Sequence, residues 1–147
     1  MTQEEYEHAK EVYKAYVTTL AFMPGILSIF YGDEAGVEGL GNLSNRKTFP
    51  WGKEDQDLVE FFTSIGKIRL NNNFLEQATL NMLKINRDYL MFERNSNDHS
   101  ALIAINRTEE PQDIEIPDEY QQKEVIYTLK KSTAKTLAPY GAIAIKK

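Results

Sequence analysis

Residues 22–51, from Phe22 to Trp51, read FMPGILSIFYGDEAGVEGLGNLSNRKTFPW. Met23-Pro24-Gly25 interrupts a helical pattern, and the apolar run Ile26 to Tyr31 follows, with the length and residue types of a fully buried strand. After it come Gly32, the adjacent carboxylates Asp33 and Glu34, three further glycines, Arg46 and Phe49-Pro50-Trp51. A buried parallel strand opening at its C-terminal end into a long, polar, glycine-rich loop is how a (β/α)8 barrel builds its active face.

Upstream, Thr2 and Glu5 have capping-box spacing. Ala9, Val12, Tyr13, Tyr16, Val17 and Leu20 then recur at three- and four-residue steps, which predicts an amphipathic helix ending at Met23-Pro24. Downstream, the stretch from Gly32 to about Lys53 is long for a connection and reads as a functional loop. Asp55 or Asp57 starts a second helix that places Leu58, Phe61, Phe62, Ile65 and Ile68 on one face and ends near Arg69-Leu70. Asn71-Asn72-Asn73 breaks both periodicities. Beyond it the period falls to two, predicting strands at Leu80–Ile85, Tyr89–Arg94, Ala101–Asn106, Ile114–Ile116, Glu124–Leu129 and Ala142–Ile145. Six short strands at hairpin spacing suggest an antiparallel sheet or sandwich.

The block Ile29 to Gly36 with Phe49-Pro50-Trp51 resembles the last strand and following loop of the α-amylase family of glycoside hydrolases, whose pattern is roughly G-x-P-x-I-Y-Y-G-D-E-x-G, then D-P-x-N-R and F-P-W. Tyr89 to Arg94, Ala101 to Asn106 and Leu137 to Ala142 are similar to the β domain that closes such chains. The resemblance implies a mixed α and β fold. Residues 1–72 would be the C-terminal part of a (β/α)8 barrel (helix seven, strand eight, helix eight), and residues 73–147 a C-terminal antiparallel β-sandwich. A complete barrel takes about 250 residues, more than the 147 present, so the expectation is a C-terminal portion whose partner is the missing N-terminal part of the barrel.

A retaining glycosidase needs two carboxyl groups about 5–5.5 Å apart across the scissile bond. Asp33 and Glu34 are neighbours on one backbone, where successive side chains tend to point apart; they read as shaping the loop and rim. The resemblance implies that the family's three catalytic carboxylates lie after strands four, five and seven, upstream of residue 1, so no catalytic residue is assigned. In neopullulanase-like and cyclomaltodextrinase-like members, the Asp and Arg of D-P-x-N-R hold the sugar one step beyond the cleavage site. Here that motif reads Asn42-Leu43-Ser44-Asn45-Arg46. The resemblance thus implies Arg46 and Asn42 as substrate-binding residues, with an uncharged amide where the family has a carboxylate. The alternative for Arg46 is a surface ion pair with an acid such as Glu38 or Glu54. Trp51 could stack on a sugar, but the resemblance implies that it closes its loop against the following helix, and packing is the preferred reading.

Net charge is -5 with scattered basic residues, which gives no electrostatic footprint for nucleic acid and no obvious attraction to an anionic membrane. The absence of cysteine rules out disulfides and thiolate metal sites and is compatible with the cytosol. The polar N-terminus MTQEEYEHAK is not a signal peptide. His8 and His99 have no partner at ligand spacing, and the glycines form no phosphate-binding fingerprint; no cofactor or metal is expected. The function implied is the C-terminal portion of an enzyme acting on α-glucan or maltooligosaccharide, inactive alone. The competing reading is a stand-alone carbohydrate-binding or interaction module. Bare strand edges and apolar helix faces lead to an expectation of self-association.

Overall fold

The computed structural model describes residues 2–39 and 46–147. They form two compact units, one built from Met1–Ile26 with Asn72–Lys147 and the other from Leu27–Asn71. Compactness therefore divides the chain differently from the 1–72 and 73–147 reading, because the first helix packs with the sheet.

That helix, α1 (Gln3–Phe22), starts on the capping box: the Glu5 N–H donates to Thr2 Oγ1 at 3.2 Å and the Thr2 N–H to Glu5 Oε2 at 2.7 Å. It ends where Met23 turns extended ahead of Pro24. In the same unit β1 (Thr79–Ile85), β2 (Tyr89–Asn95), β3 (Ser100–Asn106), β5 (Glu124–Leu129) and β7 (Ala142–Lys146) form one antiparallel sheet in the order β1-β2-β3-β7-β5. β4 (Gln112–Asp113) pairs with β6 (Thr136–Leu137) in a separate two-stranded ribbon.

Both faces of the sheet's centre are covered, which is why β3 reads as a continuous apolar run rather than an alternation. Tyr89, Met91, Leu102, Ala104, Ile143 and Ile145 face one core with Leu137 of the ribbon, Ile114 and Tyr120. The alternate residues face α1. There Thr18 and the Tyr127 hydroxyl share a hydrogen bond of 3.1 Å, and the Phe22 and Tyr127 rings lie 5.8 Å apart. Burial pushes the Tyr127 phenol up to about 12, so it stays protonated there. Ala101, Ala142 and Ala144 on that face are fully buried; their small side chains leave room for a helix.

Two of the expected strands differ. Ile114–Ile116 is not a strand: the ladder is carried just upstream by β4, while Ile114 is a buried anchor whose N–H donates to the Lys135 carbonyl at 2.9 Å. Ile26 to Tyr31 also has no strand assignment, and Ile26 is 95% and Phe30 60% exposed. A lone segment cannot satisfy its backbone by pairing, and among the described residues no strand lies beside it. In the second unit α2 (Gln56–Asn71) starts as expected on Asp55, whose Oδ1 accepts from the Asp57 and Leu58 N–H groups at 3.0 and 3.2 Å. It buries Leu58, Phe61, Phe62 and Ile65.

Glu93 closes a polar cluster on β2. Its carboxylate accepts from Asn81 Nδ2 at 3.0 Å, the Tyr120 hydroxyl at 2.9 Å and Asn95 Nδ2 at 3.4 Å. Burial alone pushes the carboxyl up, but these donors and the Lys147 charge outweigh it and hold it below 4.5. A carboxyl with a depressed folded pKa stabilises the fold above its unfolded pKa, and that stability is lost as pH falls through the folded value. Melting temperatures of the parent chain and Glu93→Gln should therefore differ at neutral pH and converge as pH drops below about 4. Parallel curves down to pH 2 would mean the carboxylate is not selectively stabilised.

Candidate functional site

The segment between Ile26 and α2 is shaped by two left-handed glycines, Gly32 (φ 89°) and Gly36 (φ 72°), bracketing a 3-10 turn at Asp33–Ala35. Gly32 is needed twice over: its φ disfavours any side chain, and a Cβ there would meet Val37 at 2.8 Å. Glu34 turns back so that its Oε2 accepts the Gly32 N–H at 3.0 Å, and the Asp55 N–H donates to the Ala35 carbonyl at 3.1 Å. Glu34 thus holds the turn. A cleft of about 360 Å³ opens beside it, lined by Ile29, Tyr31, Glu34, Val59, Phe62 and Thr63. Among the described lining residues Glu34 is the one carboxylate, beside the hydroxyl-bearing Tyr31 and Thr63, so they do not make up a pair of opposed acids.

Arg46 is exposed beyond this turn; Asn42, the other expected substrate-binding residue, lies outside the described residues. The Tyr31 hydroxyl donates to the Lys47 carbonyl, next to Arg46. The Tyr31 and Phe49 rings are 6.2 Å apart, and those of Phe49 and Trp51 4.6 Å. Trp51 is 82% exposed, so it does not close the loop against α2 as the sequence suggests; it touches the ring of Phe49 and otherwise faces outward.

The histidines stay apart. His8 Nε2 lies 3.7 Å from Glu109 Oε1 with its ring edge-on to Tyr140, and His99 stands against Phe74. Among the described residues no group of three or more His, Cys, Asp or Glu could hold a metal ion, and no helix is long and apolar enough to cross a membrane.

No family model matches the sequence. The chain is 40% identical over 104 residues to an amylopullulanase of Thermoanaerobacterium saccharolyticum, a match covering 63% of this chain and 8% of that protein. Among solved structures, the maltogenic amylase from S. marinus matches 92% of this chain with 19% of its own, at TM-score 0.79 and 20% identity. A debranching enzyme from Nostoc punctiforme matches 91% of this chain with 30% of its own, at TM-score 0.77 and 20% identity. The chain is homologous to α-amylase-family glycoside hydrolases and has the fold of the part that ends in their C-terminal β domain. Within that family its sequence is similar to amylopullulanases, of whose length it spans less than a tenth.

Proposed function

We propose that the chain acts as the closing portion of an α-glucan-acting enzyme: residues 1–72 complete a catalytic barrel, residues 73–147 form its stabilising β domain, and Arg46 with Asn42 contributes to the sugar-binding rim. The catalytic carboxylates are then supplied by the preceding part of the barrel. The observation carrying this reading is the 40% identity to an amylopullulanase over 104 residues. The unpaired apolar segment Ile26–Tyr31 supports it, since such a run suits a strand with neighbours on both sides. The stand-alone module is not favoured, because the matched proteins are enzymes of one family.

The test is complementation. The chain alone should release no reducing ends from pullulan or maltooligosaccharides, and adding a polypeptide carrying barrel strands one to seven of the amylopullulanase relative should restore release. Turnover by the chain alone that disappears on changing Asp33 or Glu34 would overturn the reading. In the assembled enzyme Arg46→Ala should lower kcat/KM by about 1–3 kcal/mol, the order of a lost hydrogen bond to a charged group. The melting temperature should stay unchanged. A lower melting temperature with intact kinetics would assign Arg46 to structure.

A further inference from the structure

The backbone that follows Tyr31 is held at almost every step. The Asp33 N–H donates to the Phe30 carbonyl at 3.1 Å, and the Ala35 and Val37 N–H groups both donate to the Gly32 carbonyl, at 3.1 and 3.0 Å. Glu34 adds its bond to the Gly32 N–H, so Tyr31 is mounted on a fixed turn. Lys47 lies sixteen residues further on. Arg46, Lys47 and Thr48 are exposed and belong to no helix or strand. Among the described residues, the one hydrogen bond to the backbone of these three comes from the Tyr31 hydroxyl, which donates to the Lys47 carbonyl.

That bond bears directly on Arg46. Peptide units are planar, so only φ and ψ of Lys47 separate the bonded carbonyl from the peptide that joins Arg46 to Lys47. Conformational entropy opposes fixing any residue that has no ladder of its own. The Tyr31 ring also lies 6.2 Å from that of Phe49, two residues past Lys47, so ring and hydroxyl hold the same stretch. Among the described residues no carboxylate forms an ion pair with Arg46, so its side chain does not anchor it. The backbone contact is what remains to place it. A binding group works only from a placed root, and small displacements lose much of its effect.

We propose that Tyr31 is a positioning residue for Arg46: its hydroxyl pins the main chain beside Arg46 to the Gly32 turn and so sets where the guanidinium meets the glucan. The sugar contact rests on the proposed function; the pinning does not. Tyr31→Phe keeps the ring beside Phe49 and removes the hydroxyl alone. By NMR relaxation of the full chain, amide order parameters of Arg46, Lys47 and Thr48 should fall in Tyr31→Phe, with those of Asp33 to Val37 unchanged. In the assembled enzyme Tyr31→Phe should lower kcat/KM for maltoheptaose about three- to tenfold, the factor for one net neutral hydrogen bond. On an Arg46→Ala background the same change should cost nothing more, because it acts through the arginine. Equal losses on both backgrounds would overturn the proposal, since the tyrosine would then be serving the fold at large. Unchanged order parameters at Arg46 to Thr48 would overturn it too, and they are measured without glucan or barrel polypeptide. The two readings fail separately. Failed complementation would remove the enzyme assignment while the order parameters still decide the pinning, and restored activity with additive losses would remove the positioning role alone.

Discussion

Replacing Arg94 with methionine should destabilise the fold by roughly 3 kcal/mol or more, since each buried acceptor left without a donor costs about 1–3 kcal/mol. Arg94 is fully buried. Its Nη1 donates to the Phe22 carbonyl at 2.5 Å, and its Nη2 to the Leu75 and Ala78 carbonyls at 2.6 and 2.7 Å. One guanidinium thus joins the end of α1 and the turn before β1 to the second strand of the sheet. Methionine fills similar volume but leaves three buried acceptors without this donor. Lysine should restore little, because a single ammonium does not reproduce the planar fork that spans these carbonyls. Urea denaturation of parent, Arg94→Met and Arg94→Lys would measure this. A loss under 1 kcal/mol for the methionine variant would mean the carbonyls find other donors.

Gly141→Ala should cost about 3 kcal/mol, the upper end for forcing extra volume into a packed site. Gly141 needs its missing side chain for space: a Cβ there would lie 2.2 Å from Ser132 Oγ, 2.9 Å from the Ala138 carbonyl oxygen and 3.0 Å from that of Leu129. Ser132 cannot simply swing away, since its Oγ donates to the Leu129 carbonyl and accepts the Ala138 N–H. The Gly141 carbonyl also accepts the Asn106 N–H at 2.9 Å, tying the corner to β3. Thermal unfolding of Gly141→Ala beside the double variant Gly141→Ala/Ser132→Gly would separate the clashes. Substantial recovery in the double variant would assign the cost to the serine, and little recovery to the two carbonyls. A Gly141→Ala chain melting with the parent would show that the corner yields.

Much of the secondary structure was legible because its causes are local. Thr2 and Glu5 lie three residues apart and complete their box within one turn. Asp55 caps a helix beginning at the next residue. From Leu80 onward, short runs bounded by turn residues mark the five long strands, continuous and apolar in β3, where both faces are covered. β4 and β6 leave no such mark in the sequence, since two residues carry no period. Of the candidate site, Arg46 and the aromatic residues could be named in advance. The outward indole of Trp51 could not, because exposure depends on what folds over a residue rather than on its neighbours in the chain.

Helix and strand types, their caps and the turn glycines of this protein follow from residues within a few positions of one another, where hydrogen-bond geometry and side-chain period act directly. Arg94 shows the other case: nothing among its neighbours along the chain marks it as buried. Its burial is decided by carbonyls 16, 19 and 72 residues away, brought together only when α1 closes on the sheet. Ile26 to Tyr31 is the converse. Its apolar run reads as a buried strand, yet burial and pairing require neighbouring strands, and without them among the described residues the segment forms no strand and leaves Ile26, Ile29, Phe30 and Tyr31 exposed.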